Sequence, residues 1–162
     1  MLSFGAHTIK NGLAPVLIRL IEQGWLTHLA TNGAGIIHDW EFAFAGVSSE
    51  DVRDYVSRGQ FGAWEETGKY LNLALAVGAY EGLGYGGSVG KLVQEEGLTV
   101  PPADALRAEA QRALANDPAQ AAAAADLLAL VSDNRAASGQ ISVPHPWKRF
   151  GLQAAAYRLG LP

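Results

Sequence analysis

The chain has 162 residues, a formal net charge of −4 and no cysteine, and 49% of its residues are hydrophobic. This length suits one domain with its own core, and the composition excludes a disordered tail, a disulfide scaffold and thiolate metal sites. With 12 basic against 16 acidic residues, no global positive field points to nucleic acid, and no apolar run approaches a membrane span. We therefore expect a cytoplasmic protein without a nucleic-acid or membrane partner.

The first 45 residues alternate between strand and helix patterns. Residues 1–7 form a short apolar segment that predicts a buried strand, and residues 13–23 predict a helix with Pro15 in its first turn. Residues 25–31 carry β-branched and aromatic side chains and predict a second strand. The glycine-bearing turn 32–35 leads into a helix whose apolar residues recur every four positions. This order predicts a right-handed parallel crossover, in which ligands bind beyond the carboxyl ends of the strands.

The rest of the chain is typical of helices separated by glycine-, proline- or serine-bearing loops. The predicted helices are 48–58, 62–80, two helices within the alanine-rich stretch 103–137, and 148–159. Asp117 and Pro118 divide the alanine-rich stretch, because aspartate caps a helix and proline fits its first turn. Residues 82–88 and 138–146 are predicted as loops, and no further strand is predicted.

The turn from Thr31 to Gly35 is the strongest candidate for a ligand-binding segment. Gly33 and Gly35 allow a ligand to approach the backbone closely. The free N–H groups of residues 34–37 are predicted to point at an anion such as a phosphate. The alternative is an ordinary strand–helix turn, and spacing alone favours neither. His38 on the same helix is a candidate for contact with ribose hydroxyls or for proton transfer, since histidine titrates near neutrality.

Three other patterns carry weaker signals. The glycines at positions 82, 84 and 87 match the spacing of a dinucleotide fingerprint, but a helix precedes them, which favours a flexible or close-packed connector. The histidines are too scattered to predict a metal site. Glu65 and Glu66 do not face each other on a helix, so Glu65 is predicted to be solvated and Glu66 partly buried.

Three segments carry a family resemblance: residues 5–12, residues 29–39 (LATNGAGIIHD) and residues 59–72 (GQFGAWEETGKYLN). Together, and in this order, they resemble the deoxyhypusine synthase family, including its bacterial deoxyhypusine synthase-like and homospermidine synthase-like members. The resemblance covers residues 1–96 and resumes in residues 145–162.

The resemblance implies an α/β fold: a Rossmann-like parallel sheet with helices on both faces, helix-rich and incomplete in this segment. Residues 1–100 are then the cofactor-side core, residues 101–137 an alanine-rich helical insertion, and residues 138–162 a loop and helix that lead to a missing strand. The family binds NAD and forms homotetramers with active sites at a subunit interface.

The resemblance also implies a reaction. NAD takes a hydride from the polyamine spermidine, and an enzyme lysine carries the resulting aminobutyl imine to an acceptor amine, which is a protein lysine or putrescine. The family's lysine lies outside this chain, and Lys10, Lys69, Lys91 and Lys148 do not match it, so this segment alone is expected to be inactive. The alternative is a non-catalytic nucleotide-binding or assembly module that keeps the family fold.

Site residues are carried over by position. The expected NAD contacts are His7, Thr31, Asn32, Gly33, Gly35, His38 and Asp39. Glu66 matches a substrate-binding glutamate of the family, and among the residues present only His38 is a candidate for catalysis. The family has two glutamates where this chain has Ile37 and His38, which removes acceptors that suit a ribose diol and carboxylates that suit a polyamine.

Overall fold

The computed structural model describes residues 1–48, 51–60, 64–133 and 135–162. It is helix-rich, 61% helical, and the described residues form two sheets of two strands each. The helices are α1 (Ala6–Lys10), α2 (Ala14–Glu22), α3 (Gly33–Ala45), α4 (Val52–Ser57), α5 (Glu65–Tyr80), α6 (Tyr85–Glu95), α7 (Ala103–Ala113), α8 (Pro118–Ser132) and α9 (Leu152–Arg158), with a 3₁₀ helix at Lys148–Phe150. The strands are β1 (Leu2–Ser3), β2 (Leu29–Ala30), β3 (Gly97–Val100) and β4 (Gly139–Ser142).

The predicted α/β fold with a Rossmann-like parallel sheet is wrong. β1 and β2 do pair in parallel, with Leu2 opposite Leu29, but each strand is two residues long. β3 and β4 form a separate antiparallel pair, with Val100 opposite Gly139. A parallel sheet covered by helices on both faces needs more and longer strands, so the helices supply most of this core.

Several predicted boundaries also change. Residues 1–7 give a two-residue strand followed by α1, because the chain turns into a helix at Ala6, and the second predicted strand shrinks to β2. The predicted loop 82–88 contains the start of α6, and the predicted loop 138–146 contains β4. The predicted helix 148–159 is a 3₁₀ helix followed by α9. Residues 49–50 and 61–63, which include parts of two predicted helices, lie outside the described residues.

Local helix signals were more reliable. Pro15 lies in the first turn of α2, and Pro118 begins α8. Asp117 caps α8 by accepting a hydrogen bond from the backbone N–H of Gln120, 3.0 Å away. The predicted division of the alanine-rich stretch into two helices is confirmed.

Two hydrophobic clusters hold the described helices together. The larger one joins α3, α5, α6, β3 and the α7–α8 pair, and its most buried members include Trp40, Leu92, Leu106 and Leu127. The smaller one packs α1 and α2 against Leu152 of α9. α3 contributes to the larger cluster through Trp40 and lies against α1 and α9, so its N-terminus has a fixed position beside β1 and β2. None of the helices in the described ranges combines the length and apolar character of a membrane span.

Candidate functional site

The carboxyl ends of β1 and β2 lie side by side and border an open crevice. The N–H of Phe4 donates to the carbonyl oxygen of Ala30 at 3.0 Å, which keeps the two strand ends together. The crevice has a volume of about 480 Å³. We call it the strand-end crevice, and it is lined by Ser3, Phe4, Gly5, Ala30, Thr31 and Asn32. The crossover pattern predicted a pocket formed by His7 and residues 31–35; the lining contains Thr31 and Asn32 but not His7.

The N-terminus of α3 opens beside this crevice. Asn32 is the N-cap, and its Oδ1 accepts a hydrogen bond from the N–H of Gly35 at 2.9 Å. The carbonyl of Asn32 accepts from Gly35 and from Ile36. The prediction of free N–H groups at residues 34–37 is therefore wrong in part, because the cap engages two of them. Within the described part of the chain, the N–H groups of Gly33 and Ala34 make no hydrogen bond.

The two glycines of the turn differ in how much space surrounds them. A Cβ at Gly35 would overlap Oγ1 of Thr31, so this position is glycine because the threonine packs over it. A Cβ at Gly33 would meet only the ring of Tyr85, at 3.7 Å, so the backbone there is more open. Oγ1 of Thr31 is buried without a hydrogen-bond partner among the described residues. The turn thus offers an accessible backbone at Gly33 to a ligand, whereas the hydroxyl of Thr31 is buried.

Of the eight predicted site residues, only Thr31 and Asn32 line this crevice, and the six outside it include His7 and Glu66. His7 is exposed in the first turn of α1. Glu66 is exposed in the first turn of α5, whereas the sequence predicted partial burial. The structure does not bring either side chain into the strand-end crevice. Their roles in cofactor and polyamine binding stay predictions.

Asp39 lies in the protein interior, with 1% of its surface exposed. Its Oδ1 accepts from the N–H of Leu152 at 2.8 Å, and its Oδ2 accepts from the N–H of Gln153 at 2.9 Å. Burial raises the pKa of Asp39 to about 6, although the two backbone hydrogen bonds oppose this shift. Both oxygens are engaged in capping α9, so the predicted contact with NAD stays a prediction.

His38 belongs to a hydrogen-bonded cluster with Glu41 and Ser48. Its Nδ1 lies 2.9 Å from Oε2 of Glu41 and 2.7 Å from Oγ of Ser48. Oγ of Ser48 donates to the same Glu41 oxygen at 3.0 Å. The arrangement is not a serine–histidine–acid triad, because the serine and the acid share one ring nitrogen instead of using both.

A second and larger cavity lies along the other edge of β2. It has a volume of about 900 Å³ and reaches from β2 to the start of α6 and to α9. We call it the β2-edge cavity. Gly84, the N-cap of α6, and Gln153 line it, and Oε1 of Gln153 is buried without a partner among the described residues. Sequence reasoning missed this cavity, although the glycine spacing at 82–87 was a signal for the start of a helix.

All four lysines of the chain lie within the described ranges, and none lines either cavity. Lys91 pairs with Glu81 at 2.7 Å and Lys148 with Glu96 at 2.7 Å. Lys10 and Lys69 are exposed on helices. The expectation that the family's catalytic lysine is not among these four stays a prediction.

His145 is buried beside the aromatic rings of the larger cluster. Its ring lies 6.1 Å from that of Trp40 and 5.8 Å from that of Phe44, in edge-on geometry. Burial lowers the pKa of His145 to about 4, an effect that the Val143 carbonyl and Glu96 partly offset. No group of three or more potential metal-binding side chains occurs within the described ranges.

Comparisons of the chain with protein-family models, curated proteins and solved structures found no match.

Proposed function

We propose that this chain binds NAD in the strand-end crevice and belongs to a cytoplasmic deoxyhypusine synthase-like transferase. In this proposal the enzyme moves an aminobutyl group from spermidine to an acceptor amine, a protein lysine or putrescine, in a homo-oligomer. The observation that carries the cofactor assignment is the meeting of two parallel strand ends with the N-terminus of α3, where two backbone N–H groups are free. When bound, NAD supplies the hydride acceptor.

The phosphates of NAD suit the N-terminus of α3. This helix has 13 residues, so its dipole places partial positive charge at the free N–H groups of Gly33 and Ala34. The exposed hydroxyl of Ser3 can donate a further hydrogen bond. A Cβ at Gly5 would meet nothing within 4 Å, so the opposite wall leaves room for a bulky ligand. The crevice volume of about 480 Å³ falls within the usual range for ligand pockets.

The ribose of NAD has fewer matching groups. No carboxylate lines the strand-end crevice, and the positions of the family's two glutamates hold Ile37 and His38. An acidic residue normally binds the ribose diol and repels a 2′-phosphate. We therefore expect weak discrimination between NAD and NADP.

A second candidate function is a nucleotide-binding module without catalysis. It is favoured by the positions of the four lysines, because none of them lines either cavity. A lysine imine needs a lysine within reach of the substrate carbon. Both candidates share the NAD site and differ only in group transfer.

The cofactor assignment is tested by calorimetric titration of NAD into the wild-type chain and two variants of the N-cap. Asn32→Asp and Asn32→Ser both keep an oxygen that caps α3, so their stabilities should match. Only Asn32→Asp adds a negative charge to the crevice, and we expect it to weaken NAD binding at least about tenfold relative to Asn32→Ser. Absence of binding to the folded wild-type chain, or equal affinity in the two variants, would refute the assignment.

Group transfer needs its own assay. We would incubate the chain with NAD and labelled spermidine, using putrescine or a lysine-containing protein as the acceptor. Because no lysine lines either cavity, we expect this chain to bind NAD without transferring the aminobutyl group. Transfer by the purified chain would eliminate the module without catalysis.

A further inference from the structure

The N-terminus of α6 lies against the β2-edge cavity and has no side-chain cap. Its N-cap residue is Gly84, and the first helical hydrogen bond is donated by the N–H of Ser88 to the carbonyl of Gly84, at 2.9 Å. Within the described residues, the N–H groups of Tyr85, Gly86 and Gly87 make no hydrogen bond. Because α6 has 11 residues, its dipole places partial positive charge at these three N–H groups.

Glycine leaves this part of the backbone uncovered. A Cβ at Gly84 or Gly86 would meet no atom within 4 Å, so a ligand can approach the backbone closely. These glycines belong to the spacing at 82–87 that matches a dinucleotide fingerprint, and the structure supplies the helix start that such a fingerprint needs. The helix α5, not a strand, precedes them, so the match indicates an anion site without a dinucleotide-binding fold.

A second, independent feature is the side chain of Gln153, which lines the same cavity. Only 9% of this residue is exposed, and its side-chain amide makes no hydrogen bond within the described residues. Its Oε1 is fully buried, whereas its Nε2 retains access to the cavity. A polar group at this depth costs free energy unless it is paired. Gln153 therefore presents an unused donor to the cavity, as the start of α6 does.

The rest of the lining indicates the kind of ligand. No charged side chain lines the β2-edge cavity, so no side-chain carboxylate there repels an anion. The volume of about 900 Å³ lies at the upper end of the usual range for ligand pockets. Several donors and no side-chain charge suit the oxygens of a phosphate group, which accept hydrogen bonds. The other walls suit an apolar body, since they are formed by Ile36, Leu83, Leu152, Ala156 and Leu161.

We propose that the N-terminus of α6 binds the phosphate group of a phosphate monoester whose apolar body lies in the β2-edge cavity. The N–H groups of α6 and Nε2 of Gln153 donate to the phosphate oxygens. The cavity shares Phe4, Ala30 and Thr31 with the strand-end crevice, but neither α6 nor Gln153 lines that crevice. The inference therefore goes beyond the NAD assignment, and the two are tested at different backbone amides.

The probe is phenyl phosphate, titrated into the ¹⁵N-labelled chain and followed by amide NMR shifts. We expect saturable shifts at the amides of Gly86 and Gly87, and weaker binding of benzoate, which has a similar ring but only two acceptor oxygens. Such shifts in a chain that does not bind NAD would support this proposal and refute the NAD assignment alone. Shifts confined to Gly33 and Ala34, or tighter binding of benzoate, would overturn this proposal.

A matched pair of variants tests the charge at the start of α6. Gly86→Asp and Gly86→Asn add side chains of the same shape into open space, but only Gly86→Asp places a carboxylate beside the phosphate. We expect Gly86→Asp to weaken phenyl phosphate binding at least about tenfold relative to Gly86→Asn.

The role of Gln153 is tested by Gln153→Met, which removes the donor and keeps a long side chain. We expect binding of phenyl phosphate to weaken about tenfold relative to the wild type, the effect of losing a hydrogen bond to a charged group. The circular dichroism spectrum of each variant establishes that the helices remain folded. Equal affinity in the two Gly86 variants, or wild-type affinity in folded Gln153→Met, would overturn the proposal.

Discussion

Oδ1 of Asp39 accepts a hydrogen bond from the backbone N–H of Leu152, 2.8 Å away and 113 positions later in the chain. Its second oxygen accepts from the N–H of Gln153, so one carboxylate on α3 satisfies two N–H groups at the start of α9. α9 has no side-chain cap of its own, because its N-cap is Gly151. Asp39 thereby fixes Gln153, a wall residue of the β2-edge cavity, relative to α3.

Removing this carboxylate should destabilise the fold. Asp39→Ala leaves the buried N–H groups of Leu152 and Gln153 without acceptors, and we expect the free energy of unfolding to fall by about 2–5 kcal/mol. Urea denaturation measures the change. Asp117→Ala is the matched control, because it removes the exposed cap of α8 and should cost only about 1 kcal/mol. A loss at Asp39 no larger than at Asp117 would contradict the assigned role.

Asp39 also predicts a pH dependence of stability. Its folded-state pKa of about 6 lies above the ordinary value of 3.8, so the folded chain holds this proton more tightly than the unfolded chain. Protonation of Asp39 therefore favours the folded state. This contribution to stability is complete below pH 3.8 and is lost as the pH rises through about 6. We expect the stability of the wild type relative to Asp39→Asn to fall by up to about 3 kcal/mol between pH 4 and pH 7. If the stability of the wild type relative to Asp39→Asn rose with pH instead, the raised pKa of Asp39 would be contradicted.

His145 predicts the opposite dependence. Its folded-state pKa of about 4 lies below the ordinary value of 6.5, so the unfolded chain binds this proton more readily. The stabilising contribution is present above pH 6.5 and is lost as the pH falls toward 4. We expect the stability of the wild type relative to His145→Gln to decrease over that interval and to be constant above it. Chemical denaturation at several pH values makes the measurement, and a relative stability that does not vary between pH 4 and 6.5 would contradict it.

The sequence predicted those features that depend on neighbouring residues. The caps and first turns of α2 and α8, and the turn that starts α3, follow from local chemistry at Pro15, Asp117 and Asn32. The sheet was mispredicted because strand length and pairing depend on distant segments. β3 and β4 are an example, since the register pairs Val100 with Gly139. The role of Asp39 was missed for the same reason, as its partners are 113 and 114 positions away.

Gly90 should be intolerant of a side chain. An added Cβ would lie 2.6 Å from the carbonyl oxygen of Gln153 and 2.9 Å from Cβ of Tyr157, so α6 and α9 would have to separate. We expect Gly90→Ala to lower the free energy of unfolding by about 1–3 kcal/mol or more. Gly68→Ala is the control, because position 68 is helical with open space around it, and alanine there should stabilise by about 0.5–1 kcal/mol. Thermal unfolding of the two variants in parallel makes the comparison, and a neutral Gly90→Ala would mean that the helices are less closely packed.

The cluster of His38, Glu41 and Ser48 predicts a single histidine tautomer. Nδ1 of His38 lies within hydrogen-bond distance of both partners, and the carboxylate of Glu41 can only accept. Both contacts are favourable together only when Nδ1 carries the proton.

We therefore expect ¹⁵N NMR to find the Nδ1–H tautomer of His38, and Glu41→Ala to remove this preference while Ser48→Ala retains it. Exposed His7 serves as an internal reference, because its ring has no hydrogen-bond partner within the described residues. A proton on Nε2 of His38 in the wild type would contradict the prediction. With the proton on Nδ1, the lone pair of Nε2 remains available to accept a hydrogen bond or a proton from a ligand, which is the role predicted for His38 from the sequence.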